Sequence, residues 1–217
     1  MNLIARLKNN YITVKDACEY GGSQNLFKTE KSLFAKGKVQ GGCGVVALAD
    51  TIAYLQKDTA FESEEDYRSY FNLIASRILY LSTKLGMSFI HMYLGALCLF
   101  GGYGLKYHLF WTFNLRKLYP RVKKMLDEDI PVILCIPKIY GRNRANRGLE
   151  LLSPDNKSVL CRTYGHFAVV TGIYDDEGKM YFEISSWGKR YMIEYGEFVR
   201  FSKKTPAGLL GHMLYIK

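Results

Sequence analysis

Hydrophobic residues recur at helical spacing through the first part of the chain and give way to short β-branched runs after Asp129. This order constrains the fold more than any other feature. Helices are predicted at about 44–56, 63–81, 88–100 and 115–127. Strands are predicted at 130–136, 166–174, 180–185, 191–195 and 212–216, and a surface loop at 140–156. A chain with helices first and strands second is expected to have an α+β fold.

Length and cysteine content favour one domain with reduced thiols. The 217 residues suit a single domain, or two lobes that share one site, and a hydrophobic fraction of 48% is ample for a core. The five cysteines include no CxxC pair, so we expect neither a disulfide framework nor a structural zinc site. Because the N-terminus lacks signal-peptide features, a cytoplasmic location is expected.

Charge and hydropathy raise two further possibilities, namely binding of an anionic partner and association with a membrane. The net charge of +10 could attract nucleic acid, an anionic membrane or acidic peptides. The basic residues are scattered, so a solvated surface is predicted and no specific nucleic-acid site. Residues 85–105 contain no Asp, Glu, Lys or Arg and approach membrane-spanning length. Because His91 and several glycines interrupt them, a buried helix followed by a glycine-rich loop is favoured over membrane association.

Cys43 is the candidate nucleophile. It stands directly before a predicted helix and is flanked by Gly41, Gly42 and Gly44. A helix N-terminus favours negative charge, and a thiol is a useful nucleophile only as the thiolate. The glycines leave room for a substrate carbonyl to approach. The other cysteines lack this setting, since Cys98 and Cys135 lie in apolar runs predicted to be core, and Cys18 and Cys161 have no supporting context.

His166 is the candidate base. It follows Gly165 at the start of a Val-rich run that predicts a buried strand. A histidine in that position can project its ring into a cleft while the strand fixes its backbone. An imidazole beside a thiol can accept the thiol proton and later return a proton to a leaving group.

Three segments, in this order, resemble papain-like cysteine peptidases, with the closest resemblance to the double-glycine leader peptidases of bacteriocin exporters. They are Cys43 to Leu48, similar to the nucleophile motif; 165–172, similar to the histidine strand; and Ser185-Ser186-Trp187-Gly188, similar to Asn-Ser-Trp-Gly. The resemblance covers about 40–195. It implies a helical lobe at about 40–128 carrying Cys43, an antiparallel sheet lobe at about 129–217 carrying His166, and a cleft between them.

The resemblance also implies acyl transfer without a metal or organic cofactor. Cys43 would attack a carbonyl of a peptide or protein substrate, and His166 would protonate the leaving group and then activate water. Gly41, Gly42 and Gly165 would border the substrate. Trp187 would do so too and would shield the reactive pair from water. Peptide or isopeptide hydrolysis is expected, while acyl transfer to an amine and glutamine deamidation remain open.

Two departures from the family pattern leave roles unassigned. Ser185 stands where the family has an orienting Asn or Asp, and Glu183, on the same strand face, is the alternative. The family's oxyanion glutamine corresponds to Gly37. Gln40 is therefore the candidate donor, with Gln24 a more distant one.

An alternative register makes the chain an inert homologue. Gln40-Gly41-Gly42-Cys43 also aligns with the Gln-Gly-x-Cys of papain, in which case Cys43 is structural and Val46 replaces the nucleophile. The second hypothesis is therefore a catalytically silent binding module, which uses the cleft and the basic loop at 142–147 to hold a peptide or an anionic ligand.

Overall fold

The computed structural model describes residues 1–27, 41–78, 87–139, 147–205 and 212–217. The strands are β1 (Asn2–Arg6), β2 (Thr13–Val14), β3 (Ala60–Phe61), β4 (Leu109–Thr112), β5 (Val132–Ile136), β6 (Leu149–Leu152), β7 (Val159–Thr163), β8 (His166–Asp176), β9 (Lys179–Ser186), β10 (Lys189–Glu194) and β11 (Met213–Ile216). The helices are α1 (Cys43–Leu55), α2 (Glu64–Ile78), α3 (Phe89–Gly102), α4 (Leu118–Asp127) and α5 (Tyr195–Lys204), with 3-10 turns at Gln24–Phe27 and Leu115–Lys117.

The strands form a nine-stranded antiparallel sheet with β8 near its middle. The order is β4-β11-β5-β8-β9-β10-β6-β7, and β1 pairs with the second half of β8. The first half of β8 pairs with β5, so that His166 lies opposite Ile136. Consecutive residues from His166 to Ile173 are buried, which requires that both faces of the strand are covered. The separate pair β2 and β3 is parallel.

Helix α1 is the central helix of the fold and packs on β8. Its residues from Gly44 to Tyr54 are all buried, because the helix is apolar on nearly every side. The helix begins at Cys43, and Gly42 precedes it without a side-chain cap. The nucleophile candidate therefore stands at a helix terminus whose first N–H groups have no intrahelical acceptor.

The α+β class and the antiparallel sheet are confirmed, and so are most of the predicted elements. Ser63 and Ser88 cap α2 and α3, with their hydroxyls accepting from the backbone N–H groups of Asp66 and His91. The sheet is larger than predicted, since it also contains β1, β4, β6 and β7. Strand β4 lies in the range assigned to the helical lobe yet pairs with β11, and β6 lies in the predicted loop.

Helix α3 is only partly buried, contrary to the prediction for 85–105. Met92, Ala96 and Leu99 face the core, while Ile90 and Leu94 are exposed. Cys98 is exposed as well, so its assignment to the core was wrong.

Among the helices of the described ranges, none combines the length and the apolar character needed to cross a membrane.

Candidate reactive site

Cys43 and His166 line the same small cavity, although their elements are far apart in sequence. The cavity volume is about 10 Å³, which is room for roughly one water molecule. Four parts of the chain form its walls, and their polar or reactive members are Gly22, Gln24, Cys43, Asp50, His166, Ser185, Ser186 and Trp187.

The sulfur of Cys43 receives backbone N–H groups from two elements. The N–H of Gly44 belongs to the first turn of α1, and the N–H of Phe167 belongs to β8. These donors favour the thiolate and act to lower the pKa of Cys43, but burial is the larger effect and raises it. The thiol is therefore neutral near pH 7 in the ligand-free protein.

His166 is buried and is fixed by two neighbours. Its Nε2 lies 2.7 Å from Oγ of Ser186, and the indole of Trp187 stacks on its ring at a centroid distance of 4.5 Å. Burial lowers the pKa of His166 to about 4, so the imidazole is neutral near pH 7. Gly165 directly precedes β8 and has a φ of +58°. This is a conformation that residues with a side chain rarely adopt. Gly165 does not line the cavity.

Trp187 and Gly188 form the two-residue turn between β9 and β10. Their φ values are +49° and +76°, the pattern of the hairpin turns that match strand twist. This conformation is unusual for a large side chain and costs about 1–2 kcal/mol. Here it directs the indole onto His166 and edge-on against Tyr191. The Ser-Trp-Gly segment thus places a ring over the imidazole.

Neither predicted orienting residue makes a hydrogen bond to His166 within the described residues. Ser185 donates to the backbone carbonyl of Tyr20 at 3.0 Å. The carboxylate of Glu183 accepts from the Tyr20 hydroxyl at 2.9 Å. Successive strand residues point to opposite faces of the sheet, so Ser185 and Ser186 have different hydrogen-bond partners. Ser186, not Ser185, is the neighbour of the imidazole.

Ser185 and Glu183 instead anchor the segment Tyr20–Gln24. The Arg190 guanidinium covers the Tyr20 ring at 4.4 Å, and the Gly22 N–H donates to Asp50 at 2.9 Å. The anchored segment brings Gln24 to the cavity wall.

Of the predicted glutamines, Gln24 lines the cavity, whereas Gln40 lies outside the described residues. Gly41 and Gly42 are buried at the start of α1 and do not line it. Of the basic loop at 142–147, residues 142–146 also lie outside the described ranges.

Asp50 was missed by the sequence analysis. It is 1% exposed and lies two helical turns beyond Cys43, so it shares the cavity-facing side of α1. The signal that could have found it is a single carboxylate in an otherwise apolar helical run.

No family model matches this chain, and no curated protein matches it. A solved structure similar to it is that of digestive procathepsin L 3 of Tenebrio molitor larval midgut, with 12% identity and a TM-score of 0.44 over 100% of this chain and 73% of that one.

Proposed function

We propose that this chain is a cysteine-dependent hydrolase of the papain-like kind, acting on peptide or isopeptide amides. In this proposal Cys43 is the nucleophile and His166 the base. The observation that carries it is one shared cavity, in which the sulfur at the start of α1 meets the first residues of β8.

The contact between His166 and Ser186 supports this division of roles. Ser186 occupies Nε2, which leaves Nδ1 as the nitrogen that exchanges a proton with the thiol. Since burial favours the neutral thiol and the neutral imidazole, proton transfer accompanies attack rather than preceding it. The site then works by general-base activation instead of a resting ion pair.

The reaction proceeds through a thioester. The Cys43 proton passes to His166 as the sulfur attacks the amide carbonyl, and the oxyanion accepts N–H groups from the start of α1 and from Gln24. The imidazolium then protonates the departing amine. A water molecule, deprotonated by the same imidazole, attacks the thioester, so the carboxylic acid and the thiol are released.

The register that makes Cys43 the nucleophile is favoured over the inert one. Cys43 is the first residue of α1, where the N–H of Gly44 reaches its sulfur, whereas Val46 lies one turn inside the helix. A nucleophile at the helix terminus profits from unpaired N–H groups, and a residue inside the helix does not.

The cavity volume of about 10 Å³ supports a second candidate, the catalytically silent binding module. An amide group with its flanking residues needs far more space, so a hydrolase must open these walls when substrate binds. A silent module would hold its ligand in the cleft and at the basic loop 142–147 without opening the walls around Cys43.

An activated ester separates the two candidates. With p-nitrophenyl acetate we expect a burst of nitrophenol and one acetyl group on Cys43, found by mass spectrometry of the digested protein. Exposed Cys98 reports ordinary thiol reactivity in the same sample. Cys135→Ser is the matched control and should retain the burst. Acetylation of Cys98 without acetylation of Cys43 would exclude the hydrolase, and product analysis with a peptide amide and added amines distinguishes hydrolysis from acyl transfer.

A further inference from the structure

Asp50 is a buried carboxylate that accepts hydrogen bonds but has no ion-pair partner in the part of the chain that the structure describes. Its Oδ2 accepts the Gly22 N–H at 2.9 Å, and its Oδ1 accepts the Tyr67 hydroxyl at 2.8 Å. None of the ion pairs within the described residues involves it. A buried carboxylate without a cation is costly, and such groups are concentrated at functional sites.

The backbone at Gly21 and Gly22 is packed so closely that no side chain fits. A Cβ at Gly22 would lie 1.7 Å from the Tyr67 hydroxyl oxygen, and a Cβ at Gly21 would lie 1.8 Å from Oγ of Ser185. This close approach is what allows the Asp50 carboxylate to reach the Gly22 amide. The carboxylate therefore joins three elements, namely α1, α2 and the segment Tyr20–Gln24.

We infer that Asp50 is a positioning residue for the reactive cavity, whose carboxylate holds the segment Tyr20–Gln24 against α1 through the Gly22 N–H. The inference rests on the proposed function in one respect, that this cavity is the reactive site. Asp50 acts through Gly22 on the placement of Gln24. It takes no part in bond making.

Asp50 is the group of this cluster that gains or loses a proton near neutral pH. Burial raises the pKa of Asp50 to about 7, and the hydrogen bonds from Gly22 and Tyr67 oppose that rise. Among the described residues, the titratable groups that interact with the charge of Asp50 are Tyr11, Cys18, Tyr67 and Tyr70. Burial is the main cause that raises the pKa of each group, and the charge of Asp50 raises it further. These groups stay uncharged near pH 7.

The reactive pair does not titrate in the same range either. The pKa of Cys43 is raised by burial, and that of His166 is lowered by burial to about 4. Above pH 7 the Asp50 carboxylate accepts both hydrogen bonds. Below pH 7 the carboxyl is protonated and has lost its charge, so it is a weaker acceptor and the hydrogen bond from the Gly22 N–H weakens.

The direct test follows the Gly22 amide by NMR between pH 5 and 8.5, in a Cys43→Ala protein so that no thiol chemistry contributes. We expect a chemical-shift transition with a midpoint near 7 that Asp50→Asn abolishes. Asp129→Asn is the matched control, because Asp129 also accepts a backbone N–H and a tyrosine hydroxyl, from Lys8 and Tyr54, away from the cavity. A Gly22 amide that does not titrate near pH 7 overturns the inference.

A second variant keeps the test decisive if Asp50→Asn does not fold. Tyr67→Phe removes the donor to Oδ1, so the midpoint at Gly22 should move to higher pH. A midpoint that stays in place, or moves to lower pH, contradicts the role of Asp50.

The thiol provides a separate measurement. In the protein with Cys43 intact, alkylation of Cys43 should show a step near pH 7 that Asp50→Asn removes, with a rate at pH 8 about fivefold lower, as for a charge-assisted hydrogen bond replaced by a neutral one. A Gly22 transition without any acyl adduct on Cys43 would support the positioning role and contradict the hydrolase. An acyl adduct on Cys43 without a Gly22 transition would support the hydrolase and contradict the positioning role of Asp50.

Discussion

The Ser186 hydroxyl lies 2.7 Å from Nε2 of His166, and the preceding Ser185 donates to Tyr20 instead. A hydroxyl can donate to a ring nitrogen or accept from it, whereas a carboxylate can only accept. Burial lowers the pKa of His166 to about 4, so the resting ring is neutral and needs orientation more than charge compensation. A serine satisfies that need.

Replacing Ser186 with alanine should slow acylation of Cys43. The ring then loses the partner that orients it, and loss of one buried hydrogen bond of about 1 kcal/mol corresponds to about a fivefold lower rate. The measurement is the second-order rate constant with an activated ester.

Ser185→Ala is the matched control for this prediction. It removes a hydrogen bond to Tyr20 and should lower the free energy of unfolding without altering the titration of His166. If Ser185→Ala changes that titration and Ser186→Ala does not, the assignment of the two serines is reversed.

Removing the indole of Trp187 should raise the pKa of His166. The ring stacks on the imidazole at 4.5 Å and excludes water from it, and burial is the cause of the lowered pKa. Trp187→Gly also relieves the positive φ of +49°. The pKa, followed by NMR of the imidazole, should move from about 4 toward the ordinary value of about 6.5.

Trp111 offers a control, because it lies on β4, a terminal strand of the sheet order. Trp111→Ala should leave the His166 titration where it is. An unchanged pKa in Trp187→Gly would mean that the indole does not exclude water from the ring.

Local patterns were enough to predict the two elements that carry the reactive pair. Apolar residues at helical spacing predicted α1, and the Val-rich run after Gly165 predicted β8. These elements are long and buried on nearly all sides, so extended apolar runs mark them in the sequence. Strands such as β4 and β6 have only four residues each and depend on pairing with distant strands, so their own sequence hardly marks them.

The remainder of the site depends on contacts between residues far apart in sequence. Nothing in the local sequence around Tyr20 indicates that Glu183 and Ser185 bind it. The choice between Ser185 and Ser186 required the pairing register of β9, since one residue along a strand changes the face. Asp50 was visible as an acid in an apolar helix, but its partner Gly22 was not.

Acid should destabilise the protein partly through His212. This histidine is 1% exposed, and burial lowers its pKa to about 4, below the ordinary value of about 6.5. Between these values the unfolded chain binds more protons than the folded one, so the free energy of unfolding falls as pH falls through this window. Asp50 acts in the opposite sense, because its folded pKa is raised to about 7.

The variant His212→Gln isolates the contribution of His212. It should lose less stability than the parent between pH 6.5 and pH 4, measured by urea unfolding at each pH. Equal losses in both proteins would show that His212 titrates normally in the folded state.

Gly22→Ala should destabilise the protein and disturb the reactive cavity together. The added Cβ would lie 1.7 Å from the hydroxyl oxygen and 2.0 Å from Cζ of Tyr67, so the segment or the tyrosine must shift. Overpacking of this kind costs about 1–3 kcal/mol, and a urea titration measures it. Because the shift moves the Gly22 amide away from Asp50, acylation of Cys43 should slow as well.

Gly101→Ala is the matched control for that prediction. A Cβ at Gly101 meets nothing within 4 Å, and the residue lies in α3, where alanine is favoured over glycine by about 0.5–1 kcal/mol. It should leave acylation unchanged and keep or raise stability. If Gly22→Ala is as stable and as reactive as Gly101→Ala, then the tight contact among Gly22, Tyr67 and Asp50 is not what positions the cavity.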